Sequence, residues 1–185
     1  MALRNNVPVN TNFLQGAQFL LGFTRLPYMN WFCTAANFPG IQVPHATQDT
    51  IHVSAPLPGS KLIYEPLKIK FLVDEQMLAY TTICDWIKGY ALPEDFSQYQ
   101  NLTLQQRIQI SKSVANQPQY SDAMLTVYTN KNNPTLQLKF HDCFPESIGS
   151  VDFSTEMSAE AMIQVEATFL YTYWEINRFN QAQPF

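Results

Sequence analysis

The sequence is poor in charge. Asp, Glu, Lys and Arg make up 14% of its 185 residues, against roughly 25% in an average soluble protein. The formal net charge is −4, so the chain lacks the positive excess with which proteins grip nucleic acid. A weakly charged chain either has a surface rich in Gln, Asn, Ser and Thr or buries much of its surface against other chains. The low charge therefore favours a component of an assembly.

Cysteine and long apolar runs are also scarce. Cys33, Cys84 and Cys143 are an odd number without paired spacing, which predicts reduced thiols in a protein made in a cytoplasm. No run approaches the roughly 18 apolar residues of a membrane span. Residues 19–23 (FLLGF) are too short for a signal core and lack a small-residue cleavage site. We expect neither membrane insertion nor classical secretion.

Catalytic signatures are missing as well, since the chain has no P-loop, dinucleotide fingerprint, GxSxG elbow or CxxC pair. His141 and Cys143 stand two apart on a predicted strand and could share a face as a thiol–imidazole pair or a metal-site fragment. A metal site needs more ligands than this pair offers. We expect no catalytic, cofactor-binding or metal-binding residues. A small-molecule-binding β-barrel or a thiol enzyme stays as a remote alternative.

What the sequence does contain is strict alternation near its C-terminus. In residues 163–174 (IQVEATFLYTYW) the odd positions are apolar, and Gln164, Glu166, Thr168 and Thr172 occupy the other face. A period of two predicts a strand with one buried and one wetted face. Twelve residues exceed the usual five or six of a strand. A strand of this length suits a sheet that extends across subunits.

A helix and several further strands are predicted upstream. Asp74 can cap the start of a helix, Cys84 lies in its apolar stripe, and Gly89 stands where a left-handed C-terminal cap belongs. Pro39 and Gly40 predict a turn. Alternation and turn residues predict strands at 50–53, 67–73 and 151–154, and a hairpin formed by 124–128 and 136–141 around 130–134 that ends at 144–145.

Together these elements predict one α+β domain over residues 1–185, mostly β, in which a small antiparallel β-barrel or sandwich is flanked by one α-helix. Residues 1–12 are Asn-rich and predict a flexible N-terminal arm. Residues 91–119 are rich in Pro, Gln, Asn and Ser and predict a long connection with a short helix near Thr103.

Aromatic residues could form a ligand-binding platform. No cluster of polar anchors accompanies them in the sequence, so we favour a role in the core and at subunit interfaces, which are typically rich in aromatic residues. The candidates are Trp31, Phe32, Phe38, Tyr64, Tyr171, Tyr173 and Trp174.

Three segments, in this order, resemble the tail tube proteins of T4-like contractile-tailed bacteriophages. The first is residues 32–41 (FCTAANFPGI) and the second is residues 67–75 (LKIKFLVDE), which run into a helix ending in DWI. The third is the ending YWE at 173–175. The likeness covers roughly residues 28–176, and the departures are the N-terminal arm and a C-terminal extension at 176–185.

This resemblance implies a non-enzymatic virion protein, made in the bacterial host cytoplasm. Hexameric rings would stack into a tube inside a tail sheath, with baseplate and tail-terminator proteins at its ends. Double-stranded DNA would pass through the channel without specific binding. A tube initiator or terminator of the same tail, or the tube protein of a type VI secretion-like apparatus, are the alternatives.

The resemblance also suggests where the contacts lie. We expect Gln164, Glu166 and Thr168 to face the lumen, where neutral polar groups and like charge would let DNA pass without releasing counterions. The loops at 47–60 and 130–134 are expected at the contact between rings, with candidate residues Leu57, Pro58, Gly59, Asn132 and Asn133.

Overall fold

The computed structural model describes residues 13–14, 16–91, 95–102, 119–156 and 162–179. Strands dominate these residues, and 97–102 are helical. In chain order the elements are β1 Phe19–Phe23, α1 Met29–Phe32, β2 Cys33–Ala36, β3 Ile41–Gln42, β4 His45–Asp49, β5 Ser54–Pro58, β6 Ile63–Tyr64, β7 Leu67–Leu72, α2 Leu78–Ala91, β8 Ser121–Tyr128, β9 Pro134–Ile148, β10 Gln164–Leu170 and β11 Tyr173–Arg178.

Two antiparallel sheets share the long strand β9. Sheet I has the order β1-β8-β9-β11, and sheet II has the order β9-β10-β7-β2. β9 carries a bulge at Asp142, whose φ is 56°. Ala123 pairs with Phe140, but Ser121 pairs with Cys143, so β9 has one extra residue between these pairs. The bulge lies where β9 passes from sheet I to sheet II.

The core lies between the inner faces of the two sheets. In β7, Leu67, Ile69 and Phe71 are buried and the lysines between them are exposed. Across the core, the rings of Phe23 in sheet I and Phe169 in sheet II have centroids 4.7 Å apart. Burying each such side chain contributes about 1.5–3 kcal/mol. The predicted class, a mostly β antiparallel fold flanked by a helix, is confirmed.

The helix α2 packs on this core. The Asp74 carboxylate accepts hydrogen bonds from the backbone N–H groups of Leu78 and Ala79, at 3.1 and 3.3 Å, so the predicted N-terminal cap is present. The Trp86 ring lies 6.2 Å from that of Phe169. The cap and this contact fix where the helix begins and which side it buries.

Two details predicted for this helix are wrong. Gly89 does not end it, because α2 continues to Ala91 and no glycine among the described residues has a positive φ. A Cβ on Gly89 would lie 2.9 Å from the Leu102 side chain, so the position needs a small residue for packing. Cys84 is only half-buried and lies beside the buried stripe, which is formed by Ala79, Ile83, Trp86 and Gly89.

The single strand predicted over residues 163–174 is also wrong. The structure has two strands there, β10 and β11, separated at Tyr171 and Thr172. The buried residues of β10 are odd-numbered, but in β11 the half-buried residue is Trp174. The alternation of core-facing and outward-facing positions therefore shifts by one residue between β10 and β11, opposite the β9 bulge. Local alternation cannot reveal it because its cause lies on another strand.

Other strand predictions have mixed outcomes. The β8–β9 hairpin is confirmed, but β9 continues past residues 144–145 to Ile148. Residues 50–53 form the turn between β4 and β5, and residues 151–154 have no regular structure, so both predicted strands are wrong. Residues 176–178 complete β11. The N-terminal arm, the helix near Thr103 and most of the 91–119 connection lie outside the described residues.

Candidate assembly surfaces

The outer face of sheet II carries the three residues expected in a channel. Gln164 and Glu166 on β10 are exposed and Thr168 is half-buried, all on the side opposite the core. Antiparallel pairing with β7 places Lys70 opposite Glu166 and Lys68 opposite Thr168. We call these five side chains the sheet II outer face. It is a wetted surface with two cationic groups and one anionic group.

An ion pair crosses this face. The Lys70 ammonium lies 2.6 Å from a Glu166 carboxylate oxygen. Its hydrogen bond and its charge hold the pKa of the Glu166 carboxyl below the usual value, with a smaller contribution from Lys68. Both side chains are exposed, so water and salt screen the pair. The sequence shows that lysines alternate with apolar residues in β7. It does not show that Lys70 contacts Glu166, because that contact depends on the pairing of β7 with β10.

A second surface is the hairpin between β2 and β7, formed by residues 41–64. Its strands pair as β3 with β6 and β4 with β5. Every residue of this segment is exposed except Ala55 and Tyr64, which are half-buried. We call it the exposed hairpin. Its backbone is ordered by hydrogen bonds, but the other described residues leave nearly all of its side chains uncovered.

Apolar side chains are spread along the exposed hairpin. Ile51 at its tip is 96% exposed, so almost none of its side chain contacts the rest of the described structure. Exposed apolar groups gathered on one element mark a binding surface more often than scattered ones do. The other large ones are Ile41, Val43, Val53, Leu57, Leu62 and Ile63.

Three of the expected contact residues lie on this hairpin. Leu57 and Pro58 belong to β5, where they pair with Ala46 and His45. The Gly59 N–H donates to the Pro44 carbonyl at 2.8 Å. A Cβ at Gly59 would collide with that carbonyl oxygen, so glycine is required for the strands to stay together. The predicted loop at 47–60 is therefore largely paired strand.

The other two expected contact residues lie on a different element. Asn132 and Asn133 belong to the β8–β9 turn, which is closed by hydrogen bonds of 2.8 Å between Thr129 and each of them. Asn132 has a φ of 59°, a conformation that asparagine tolerates better than most residues. This turn stands at the end of sheet I, whereas the exposed hairpin rises from sheet II. The structure does not join the two sets into one surface.

An aromatic cluster fixes the base of the exposed hairpin. The Trp174 ring lies 5.8 Å from Phe38 and 6.1 Å from Tyr64, and Tyr171 lies 6.0 Å from Tyr64 and 5.0 Å from Phe140. The Tyr171 hydroxyl also donates to a backbone carbonyl beside the cluster, that of residue 65, at 2.6 Å. Part of the predicted aromatic set is thus brought together, as an anchor for the hairpin.

The remaining aromatic candidates lie elsewhere. Trp31 on α1 is 87% exposed, and Phe32 is half-buried against the core. Tyr173 points to the outer side of sheet I and stacks on His141, with ring centroids 4.5 Å apart. These three do not join Tyr171 and Trp174 in a platform.

His141 and Cys143 lie on opposite faces of β9. The bulge at Asp142 moves the buried positions from Phe140 to Cys143, so Cys143 enters the core and His141 stays outside. Burial, together with the nearby Asp122 charge, raises the pKa of the Cys143 thiol far above its ordinary value. A protonated thiol that cannot meet the imidazole is not a nucleophile for catalysis. The geometry is contrary to the thiol-enzyme alternative.

Other kinds of site have little support in the described residues. No three of their His, Cys, Asp or Glu side chains are placed to hold a metal ion. A cavity of about 180 Å³ is lined by Tyr90, Gln119, Tyr120 and Phe144, which is smaller than the roughly 300–1,000 Å³ of ordinary ligand pockets. None of the described helices has the length and apolar character needed to cross a membrane.

Solved structures share this architecture. A tube-terminating cap of the anti-feeding prophage is similar over 97% of this chain and all of that one, with a TM-score of 0.62 and 14% identity. A chain of the PVC extracellular contractile injection system, from its sheath–tube complex, is similar over 91% of this chain and 94% of that one, with a TM-score of 0.58 and 10% identity. At such identities the similarity establishes the fold.

Sequence comparison identifies the family. The tail tube terminator protein of Enterobacteria phage T4 is 26% identical over 151 residues, covering 76% of this chain and 73% of that protein. The family model described as phage tail tube protein matches residues 6–177. The resemblance to tail tube proteins is confirmed. The chain belongs to the phage tail tube protein family and is a structural component of a phage-type tail.

Proposed function

We propose that this chain is a ring-forming subunit of a contractile tail tube, with hexameric rings that stack into a channel for double-stranded DNA. The proposal rests on the geometry of sheet II. One face of this sheet packs on the core, the opposite face is exposed to solvent, and its two edge strands each lack a second neighbour in the described part of the chain. Among the described residues, β2 pairs only with β7, and the C-terminal part of β9 pairs only with β10.

Free edges support a ring. An unpaired strand edge is a ready template for another strand, and closing a sheet into a barrel removes every edge. If β2 of one subunit lies beside β9 of the next, sheet II becomes one wall around a central channel. The face of sheet II that packs on the core stays inside its own subunit, so only the opposite face can line the channel. The outer face with Gln164, Glu166 and Thr168 then lines the lumen.

The exposed hairpin supports stacking. Its uncovered apolar residues need a partner, and Leu57, Pro58 and Gly59 lie on the strand that returns from the tip. We propose that this hairpin contacts the adjacent ring and that Asn132 and Asn133 contribute a separate contact from the β8–β9 turn. Sheath, baseplate and terminator proteins complete the assembly around and beyond the tube. The whole of residues 1–185 acts as one domain without catalytic activity.

A second candidate is the terminator at the end of the tube. The T4 relative is a tube terminator, and so is the anti-feeding prophage cap. A terminator ring would have the same sheet II wall but one ring face without a further ring. The two roles differ in whether rings of this chain stack on one another.

Negative-stain microscopy of the purified protein separates these candidates. Long tubes with a central pore support the tube subunit, and single hexameric rings support the terminator. A tube subunit can also require an initiator, so the same preparation is observed with sheath and baseplate proteins added. A uniform monomer under both conditions would contradict the proposal.

A further inference from the structure

We infer that Trp31 of one subunit packs against Phe153 of the neighbouring subunit and closes one end of the seam between them. The contact rests on the proposed function, because it requires β2 of one subunit to lie beside β9 of the next. It adds side chains outside the strands to that backbone pairing. It applies to a tube subunit and to a terminator alike, since both form rings.

The two edge strands of sheet II run in opposite directions. β9 is antiparallel to β10, β10 to β7 and β7 to β2. Rotation about a ring axis does not reverse a strand, so β2 of one subunit would lie antiparallel to β9 of the next. The residues that precede β2 are then brought to the residues that follow β9. Trp31 on α1 is in the first group and Phe153 is in the second.

Both segments leave sheet II at the same end. Cys33, the first residue of β2, pairs with Phe71, which in turn pairs with Val165. The N–H of Gly149, directly after β9, donates to the carbonyl of the adjacent Glu166 at 2.7 Å. The start of β2 and the end of β9 are therefore almost level across the sheet. The two segments need no large shift in register between subunits to meet.

Each of the two aromatic side chains is uncovered but stands on a fixed base. Trp31 is 87% exposed, whereas Met29 on the same short helix is buried and Phe32 packs against the core. Phe153 is 74% exposed, whereas Val151 packs against the core. Because their neighbours fix the backbone, the two rings can pack together at little further cost in chain entropy. Aromatic side chains of this kind are enriched where subunits meet.

Backbone pairing alone would hold this seam weakly. β2 has four residues, and its pairing with β7 is irregular between Cys33 and Ala35, so few hydrogen bonds could join it to a neighbour. On the β9 edge, Pro145 has no N–H, and its carbonyl accepts a hydrogen bond from the Tyr90 hydroxyl at 2.5 Å. Apolar burial beside the strands supplies what these edges lack, since a Trp or Phe buries roughly 150–250 Å².

The edges that would meet carry no charge over residues 26–44 and 147–151, which contain no Asp, Glu, Lys, Arg or His. Unpaired edge strands are commonly protected by charged side chains. Arg25, which precedes the first range, is buried. Acids stand around the seam, and those of the described residues are Asp74, Glu75, Glu146, Asp152 and Glu156. Charge at the rim of an apolar contact is usual, and salt that screens these acids should promote ring formation.

Tryptophan fluorescence tests the contact directly. The sequence has three tryptophans, of which Trp86 is fully buried and Trp174 half-buried, so acrylamide should quench mainly Trp31 in the free subunit. Single rings of the Ile51→Ser variant, isolated by size-exclusion chromatography, should lose this quenching because Phe153 of the neighbour covers the indole. Trp31→Phe identifies the Trp31 signal by difference. Quenching that persists in single rings, or that is lost only when rings stack, would overturn the inference.

Substitutions test which side chains make the contact. Trp31→Ala and Phe153→Ala should each raise the subunit concentration needed for ring formation about tenfold or more, measured by sedimentation velocity. The double variant should assemble little worse than either single variant, because one substitution already removes the contact. Thermal unfolding of the free subunit should not change, since both side chains are exposed.

The matched control is Met124→Ala, which removes an apolar side chain that is 44% exposed on β8 of sheet I and should leave ring formation unchanged. Rings that form at wild-type concentrations without either aromatic residue, or losses that add up in the double variant, would overturn the inference and leave the proposed function standing. Failure of the wild type to form rings, alone and with sheath and baseplate proteins added, would overturn both.

Discussion

Sheets I and II, which form a sandwich around the core, and the exposed hairpin are both built of antiparallel strands. The two regions are stabilised in different ways. In β7 every second side chain is buried, and Phe71 has no exposed surface. In β4, by contrast, all five residues are exposed. Backbone pairing is common to both regions, and the burial of apolar side chains belongs to the sandwich alone.

This difference indicates which region needs a partner. A two-stranded hairpin without a packed face is at best marginally stable in water. The exposed hairpin keeps its direction because the aromatic cluster and the Tyr171 hydroxyl fix its base to the sheets. The sandwich is thus the part of the molecule with its own core, and the hairpin is the part that we propose another chain covers.

The largest effect is expected from a cavity in the sandwich. Phe169→Ala removes a fully buried ring that contacts both Phe23 and Trp86. We expect the free energy of unfolding to fall by about 3–5 kcal/mol, measured by denaturant unfolding. Phe153→Ala is the control, since Phe153 is 74% exposed and its removal should change stability by less than about 0.5 kcal/mol. Equal effects of the two variants would contradict this description of the core.

A smaller, local effect is expected at the base of the hairpin. Tyr171→Phe keeps the ring contacts and removes the hydrogen bond to the residue 65 carbonyl, at a cost of about 1 kcal/mol. Amide hydrogen exchange should accelerate in β3 and β6 and stay unchanged in β8. Tyr173→Phe, on the outer side of sheet I, serves as control. Uniform acceleration in both regions would mean that Tyr171 does not anchor the hairpin specifically.

At the tip of the hairpin, stability and assembly should separate. Ile51→Ser removes a side chain that is 96% exposed, so the free energy of unfolding should change by less than about 0.5 kcal/mol. Ring stacking should nevertheless weaken, because the variant lacks the apolar side chain that the proposed contact places at the hairpin tip. Thermal unfolding and negative-stain microscopy of the same sample measure both effects. A variant that stacks as the wild type does would remove the hairpin tip from the interface.

The last prediction compares the reactivity of the three cysteine thiols and involves no change in stability. Burial raises the pKa of the Cys33 thiol to about 11 and that of Cys143 further. Both therefore remain protonated at about pH 8, and the thiolate that attacks an alkylating reagent is scarce. Burial also raises the pKa of the Cys84 thiol on α2, but a hydrogen bond with Tyr80 and the charge of Lys88 act in the opposite direction. Cys84 should therefore react first, with Cys143 reacting only after unfolding. Rapid native labelling of Cys143, followed by mass spectrometry, would contradict its place in the core.

The sequence predicts elements whose signals are local. The alternation of Leu67, Ile69 and Phe71 identifies β7, and Asp74 marks the start of α2. Asn132 and its polar neighbours identify the β8–β9 turn. In each case, the residues that decide the structure lie within a few positions of one another.

Prediction from the sequence fails where a local structure depends on residues that are distant along the chain. The break at Tyr171 and Thr172 lies opposite a bulge on β9, and the charge of the sheet II outer face depends on the pairing of β7 with β10. Residues 50–53 have the composition of a strand but form a hairpin tip, where no other part of the described chain packs on them. The alternation that predicts the lumen residues belongs to one strand, and two lysines on its neighbour change the electrostatic character of the face.

The central claim, that the sheet II outer face lines the channel, is tested most directly by a cryo-EM reconstruction of assembled rings. The expected map shows β10 and β7 on the inner wall, with Lys68 and Glu166 pointing towards the axis and the exposed hairpin against the adjacent ring or end protein. A map in which those side chains point outward, or are buried between neighbouring subunits, would contradict it.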